Sequence, residues 1–77
     1  MTERFPLAEA DLLARVMPDA SGPQTGEITL RAVEVTGVRL AEADYEAKVV
    51  RVILADRADV SFVRDALAAI PGIASVE

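Results

Sequence analysis

Apolar and polar positions are most sharply patterned between Tyr45 and Glu77. Val49-Val50-Arg51-Val52-Ile53-Leu54 is a β-branched run of strand length, closed by the charged cluster Asp56-Arg57-Ala58-Asp59, where the chain should turn. Asp59 suits an N-cap, because its carboxylate can accept from the unpaired amides of a following turn. Val60, Val63, Ala66, Leu67 and Ile70 then recur at helical spacing, with Arg64 and Asp65 on the opposite side. Pro71 cannot extend this helix and Gly72 tolerates a left-handed exit, so a last strand is expected over Ile73 to Val76. Strand, crossover helix and return strand make a β-α-β unit.

Upstream the pattern is weaker. Leu7, Ala10, Leu13, Ala14 and Met17 share one side of a helix that would start at Pro6 and stop at Pro18. Pro18 to Gly26 reads as a connector, with two prolines and two glycines in nine residues. Its Gly22 and Gly26 do not have the spacing of a phosphate-binding loop, and no lysine follows them. Ile28, Leu30 and Ala32 alternate with Glu27, Thr29 and Arg31, which predicts a strand. Val33 and Val35 then fall on the other parity, as a bulge or double-sided cover would require. A turn is expected at Thr36-Gly37, and Val38 to Ala43 reads as either the start of the next strand or a wide loop. From about Tyr45 to Leu54 a strand is preferred. The spacing of Leu40, Ala43, Ala47, Val50 and Leu54 also fits a helix, but four β-branched residues in five crowd one. The predicted order is therefore helix, strand, strand, helix, strand, an α+β class.

Composition narrows the chemistry. Seventy-seven residues hold one domain, close to the lower size at which a core stands without disulfides or metal. There is no Cys and no His, which removes thiol nucleophiles, disulfides, Cys-based or His-based metal sites and imidazole acid-base catalysis. The net charge is −5, and seven of the eight basic residues are arginines scattered singly, so no basic stripe follows a phosphate backbone and nucleic acid is not an expected partner. No apolar run approaches the roughly 20 residues of a membrane span, and the first fifteen residues lack a signal peptide's pattern. A soluble, cytoplasmic domain without direct membrane insertion is the expectation.

The segment Val63-Arg64-Asp65-Ala66-Leu67-Ala68-Ala69-Ile70-Pro71-Gly72-Ile73-Ala74-Ser75-Val76-Glu77 resembles the last helix and strand of ACT-type regulatory domains and of heavy-metal-associated domains, where a helix stops at a Gly that leads into a short apolar strand. With the element order, this resemblance implies a ferredoxin-like, ACT-like two-layer sandwich of order α-β-β-α-β, the first strand of the ferredoxin-like pattern being absent or reduced to Thr2–Phe5. The heavy-metal domains bind their ion through paired cysteines, which this chain lacks. The ACT resemblance implies amino-acid sensing and side-by-side dimerisation, with an effector loop between a first strand and first helix. The element order is also similar to the soluble C-terminal domains of MgtC-type membrane proteins and the cytoplasmic domains of cation diffusion facilitators, the latter usually holding zinc through histidines.

Residue by residue, the remaining chemistry reads as structural. Glu42, Asp44 and Glu46 could attract a hard cation, but a solvated strand face explains them. Asp56 and Asp59 around Arg57 fit a helix entry with a local ion pair. Ser61 suits a first helical turn and Ser75 an exposed strand position. Catalysis is not expected, nor is a cofactor. Val33, Val35, Val50 and Val52 share a parity opposite to Ile28, Leu30, Tyr45 and Val49, and are the candidates for a second apolar sheet face that meets a partner. The expected function is a non-catalytic, dimerising regulatory or protein-interaction module, most simply a homodimer, or one docking on a membrane or enzyme domain of the same parent protein. The alternatives are a cytosolic C-terminal domain of a cation transport membrane protein and an ACT-type amino-acid sensor.

Overall fold

The computed structural model describes residues 10–77. In chain order they form β1 (Leu12–Val16), α1 (Gly22–Val33), β2 (Val38–Asp44), β3 (Val49–Leu54), α2 (Val60–Ala68) and β4 (Ile73–Val76). The strands make one antiparallel sheet in the order β2-β3-β1-β4. β1 pairs with β3 on one side and β4 on the other, so β3 and β4, joined through α2, run parallel with β1 between them. Both helices lie on one face of the sheet, where Leu12, Ala14, Val16, Val50 and Val52 meet Ile28 and Ala32 of α1 and Val63 and Leu67 of α2.

The second half matches its pattern closely. Asp59 caps α2 by accepting from the Phe62 amide at 3.1 Å, Val63 and Leu67 are fully buried, and Gly72 leaves the helix at φ +99° into β4. No ion pair joins Arg57 to Asp56 or Asp59; Arg57 instead turns the chain at φ +64°. Thr36-Gly37 does turn, with Gly37 at φ +101°. Val38 to Asp44 is strand, and the spacing that also suited a helix over Leu40 to Leu54 is divided between two strands and a turn. The hairpin turn spans residues 45–48, so the strand expected from Tyr45 begins at Val49.

The first half differs. The predicted helix ending at Met17 is strand β1 over Leu12–Val16, and its earlier part, like the strand remnant Thr2–Phe5, lies outside the described residues. Leu12, Ala14 and Val16 are buried in alternation, and hydrogen bonds from neighbours on both sides outweigh the helical preference of Leu, Ala and Arg. The connector ends at Ser21, because Ser21-Gly22-Pro23-Gln24 is a capping box: Ser21 Oγ accepts from the Gln24 amide at 3.2 Å, and Gln24 Oε1 accepts from the Ser21 amide at 2.8 Å. The strand expected around Ile28, Leu30 and Ala32 is therefore helix α1. Its buried residues are Thr25, Ile28 and Ala32, at helical spacing, while Leu30 points outward, 66% exposed. The parity slip at Val33 and Val35 is the end of this helix, not a bulge.

Candidate functional site

The face of the sheet opposite the helices carries two ion pairs. Register places Glu42, Arg51, Leu13 and Glu77 in one row and Asp44, Val49, Arg15 and Ser75 in the next. The central strands thus hold the cations and the outer strands the anions. Arg51 donates to Asp44 at 2.8 Å, and Arg15 donates to Glu77 at 2.6 Å. Asp44 is held below its ordinary pKa chiefly by the Ala47 amide and then by Arg51, and Glu77 by its hydrogen bond with Arg15. These two pairs lie within a solvated face and account for Asp44, while Glu42, opposite Arg51 in register, joins no ion pair among the described residues. Among the described residues no group of three potential ligands could hold a metal ion.

The four valines expected on one outer face do not share one. Val50 and Val52 are fully buried against α1 and α2, because the parity facing the helices is the even one in β3. Val35 sits half-buried in the turn after α1, packed against the core. Val33, at the end of α1, is 42% exposed. The burial of Val50 and Val52, and the position of Val33 and Val35 at the end of α1 and in the turn after it, leave no single sheet face that all four could offer a partner.

Exposed apolar groups collect elsewhere, along the seam between α1 and the edge strand β2. Leu30 and Tyr45, both exposed, lie at this flank, and a shallow groove of about 810 Å³ runs between Pro23, Gly26 and Leu30 on the helix and Ala41, Ala43 and Tyr45 on the hairpin; exposed Leu40 is on the other face of β2, with Glu42 and Asp44. The small residues make the groove: a Cβ at Gly26 would stand 3.4 Å from the Tyr45 hydroxyl, and Ala41 and Ala43 are the helix-side residues of β2. Neither Leu30 nor Tyr45 stands out in the sequence pattern, because the alternation around each reads as strand, whereas Leu30 is in α1 and Tyr45 in the hairpin turn. A helical reading from the Ser21 capping box onward puts Leu30 on the face opposite Ile28 and Ala32.

A second cavity, about 370 Å³, opens where the β1–α1 turn meets the α2–β4 turn, lined by Met17, Asp19, Ala20, Gln24, Glu27, Ile28, Arg31, Pro71 and Gly72. Glu27 and Arg31 pair at its rim at 3.5 Å. The only lysine of the chain braces its wall: Lys48 Nζ donates to the carbonyls of Pro18 at 3.0 Å and Ala20 at 2.8 Å. Hydroxyls near these features have structural duties. Ser21 caps α1, and Thr25 and Thr29 donate to the carbonyls of Ser21 and Thr25. Among the described residues no helix is long and apolar enough to cross a membrane. The chain matches no family model, and neither the curated proteins nor the solved structures include a significant match to it.

Proposed function

We propose that this domain is a non-catalytic, dimerising regulatory or protein-interaction module of ferredoxin-like, ACT-like architecture. The order β-α-β-β-α-β with sheet order β2-β3-β1-β4 supports the architecture. One observation carries the function: exposed Leu30 and Tyr45 line the α1–β2 groove beside β2, an edge strand of the sheet among the described residues, while the opposite face of the sheet carries the Arg15–Glu77 and Arg51–Asp44 ion pairs. Light scattering coupled to size exclusion tests it. A dimer that dissociates on dilution, and that Leu30→Glu converts to a folded monomer, is the expected result. A monomer at every concentration with no affinity for a co-expressed domain of its parent protein would end this reading.

A second reading, amino-acid sensing of ACT type, is favoured by the 370 Å³ cavity, since it lies against the turn between the first strand and first helix and offers Asp19, Glu27 and Arg31 to a zwitterion. Thermal shift across the amino acids tests it: a ligand of the folded form raises the melting temperature with concentration.

A further inference from the structure

We propose that the occupant of the seam is the β2 strand of a second copy of this chain, added antiparallel about a two-fold axis through Ala41 so that two sheets become one of eight strands. The inference rests on the dimerising reading above and adds the surface and the register. A two-fold that pairs a strand antiparallel with itself stands perpendicular to the sheet, so both copies keep their helices on the same side and each residue meets one of its own parity.

Backbone polarity selects the outward residues. The Ala55 amide donates to Gly37 and the Val16 amide to Lys48, so odd-numbered residues of β3 face β2 and even-numbered ones face β1. Asp44, Glu42 and Leu40, opposite Val49, Arg51 and Ile53, therefore spend their backbone groups on β3. The amides and carbonyls of Ala41 and Ala43 point to the open edge. Pairing centred on Ala41 brings two such residues into a reciprocal hydrogen-bonded pair and overlaps the whole of β2, of which Ala41 is the midpoint.

Charge removes the other registers. Centring on Glu42 sets Glu42 against its own copy, and centring on Ala43 sets Glu42 against Asp44; like charges opposite each other destabilise a sheet. Centring on Leu40 leaves the acidic end of each strand overhanging. About Ala41, Leu40 meets Glu42 of the second copy. Arg39, which a bulge leaves without a partner on β3, comes beside Ala43 and Asp44 of that copy. Neither Arg39 nor Glu42 joins an ion pair among the described residues. On the helix side the axis passes the alanines that floor the groove, so the second copy also covers Leu30 and Tyr45.

The absence of cysteine makes the test direct. Single variants Arg39→Cys, Leu40→Cys, Ala41→Cys, Glu42→Cys and Ala43→Cys are oxidised in the full chain, and covalent dimer is read on a non-reducing gel. Only the residue on the axis has its Cα within about 5.5 Å of its copy, and the flanking ones lie beyond the roughly 7 Å a disulfide can span. Ala41→Cys should cross-link several-fold more than either neighbour. A mixture of Leu40→Cys and Glu42→Cys, both on the open face, should cross-link where each alone does not. A dimer by light scattering whose cross-linking peaks at another position, or at none, would overturn this register while leaving the dimer standing. A monomer by light scattering would overturn both.

Discussion

The Cδ1 atom of Ile28 fills the space that a side chain at Gly72 would need: a Cβ built there would lie 2.7 Å from it. Gly72 also stands at φ +99°, so the α2–β4 turn and the middle of α1 fit together only if this residue has no side chain. Gly72→Ala should destabilise by about 2 kcal/mol or more, from the left-handed backbone and the clash together. Urea denaturation checks it. Combining it with Ile28→Val, which removes the obstructing methyl, should cost less than the two single changes summed, and strict additivity would mean that the backbone angle alone is responsible.

The cap of α1 gives a second expectation. Ser21→Ala should cost about 1 kcal/mol and Ser21→Gly only a few tenths, because glycine leaves the first-turn amides open to water. The same ranking should appear in amide exchange over Gln24 and Thr25, whose amides are bonded to Ser21. Equal effects of Ala and Gly would place the loss elsewhere than at the cap.

What could be read from the chain alone follows from how local each signal is. Asp59, Val63, Leu67 and Gly72 carry their element on adjacent residues, and that half of the fold was legible. Leu12–Val16 becomes a strand only because β3 and β4 pair with it from both sides, a non-local cause. The start of α1 was legible in principle: Ser21-x-x-Gln24 with Pro23 inside the first turn is a helix entry, but the density of Pro and Gly reads first as a loop. A strand over Ile28 to Ala32 puts Leu30 inward and leaves Val50 and Val52 for the outer face, whereas helix α1 reverses both. The candidate surface was thus expected on a sheet face, when it lies along the seam that α1 makes with β2.

Acid should loosen the sheet. Asp44 and Glu77 are held below their ordinary pKa values in the folded chain, so their ionised forms favour folding. That contribution is complete above the unfolded-state values of about 4 and is lost as pH falls through the lower folded-state values. Both pairs are solvent-screened, so the effect is modest. Urea midpoints measured from pH 7 down to pH 3 should fall less steeply in Asp44→Asn and Glu77→Gln than in the parent. Identical slopes would show that these two carboxylates do not govern the acid limb.

Leu67 and Leu30 separate the core from the seam. Leu67 is fully buried beneath α2, so Leu67→Ala should cost about 2–5 kcal/mol at any protein concentration, through lost burial and the cavity left behind. Leu30 is 66% exposed, so Leu30→Ala should leave the unfolding of the dissociated chain within about 0.5 kcal/mol of the parent. Its effect should surface only where two copies meet, as a loss of the concentration dependence of the melting temperature that mass action gives an associating protein. Tyr45, the only tyrosine in a chain without tryptophan, supplies an independent reading from across the same groove, since its emission should change with dilution in the parent and stay constant in the Leu30→Ala protein. A Leu30→Ala protein as destabilised at low concentration as Leu67→Ala would instead make Leu30 a structural residue, and the seam would lose its standing as a surface for a partner.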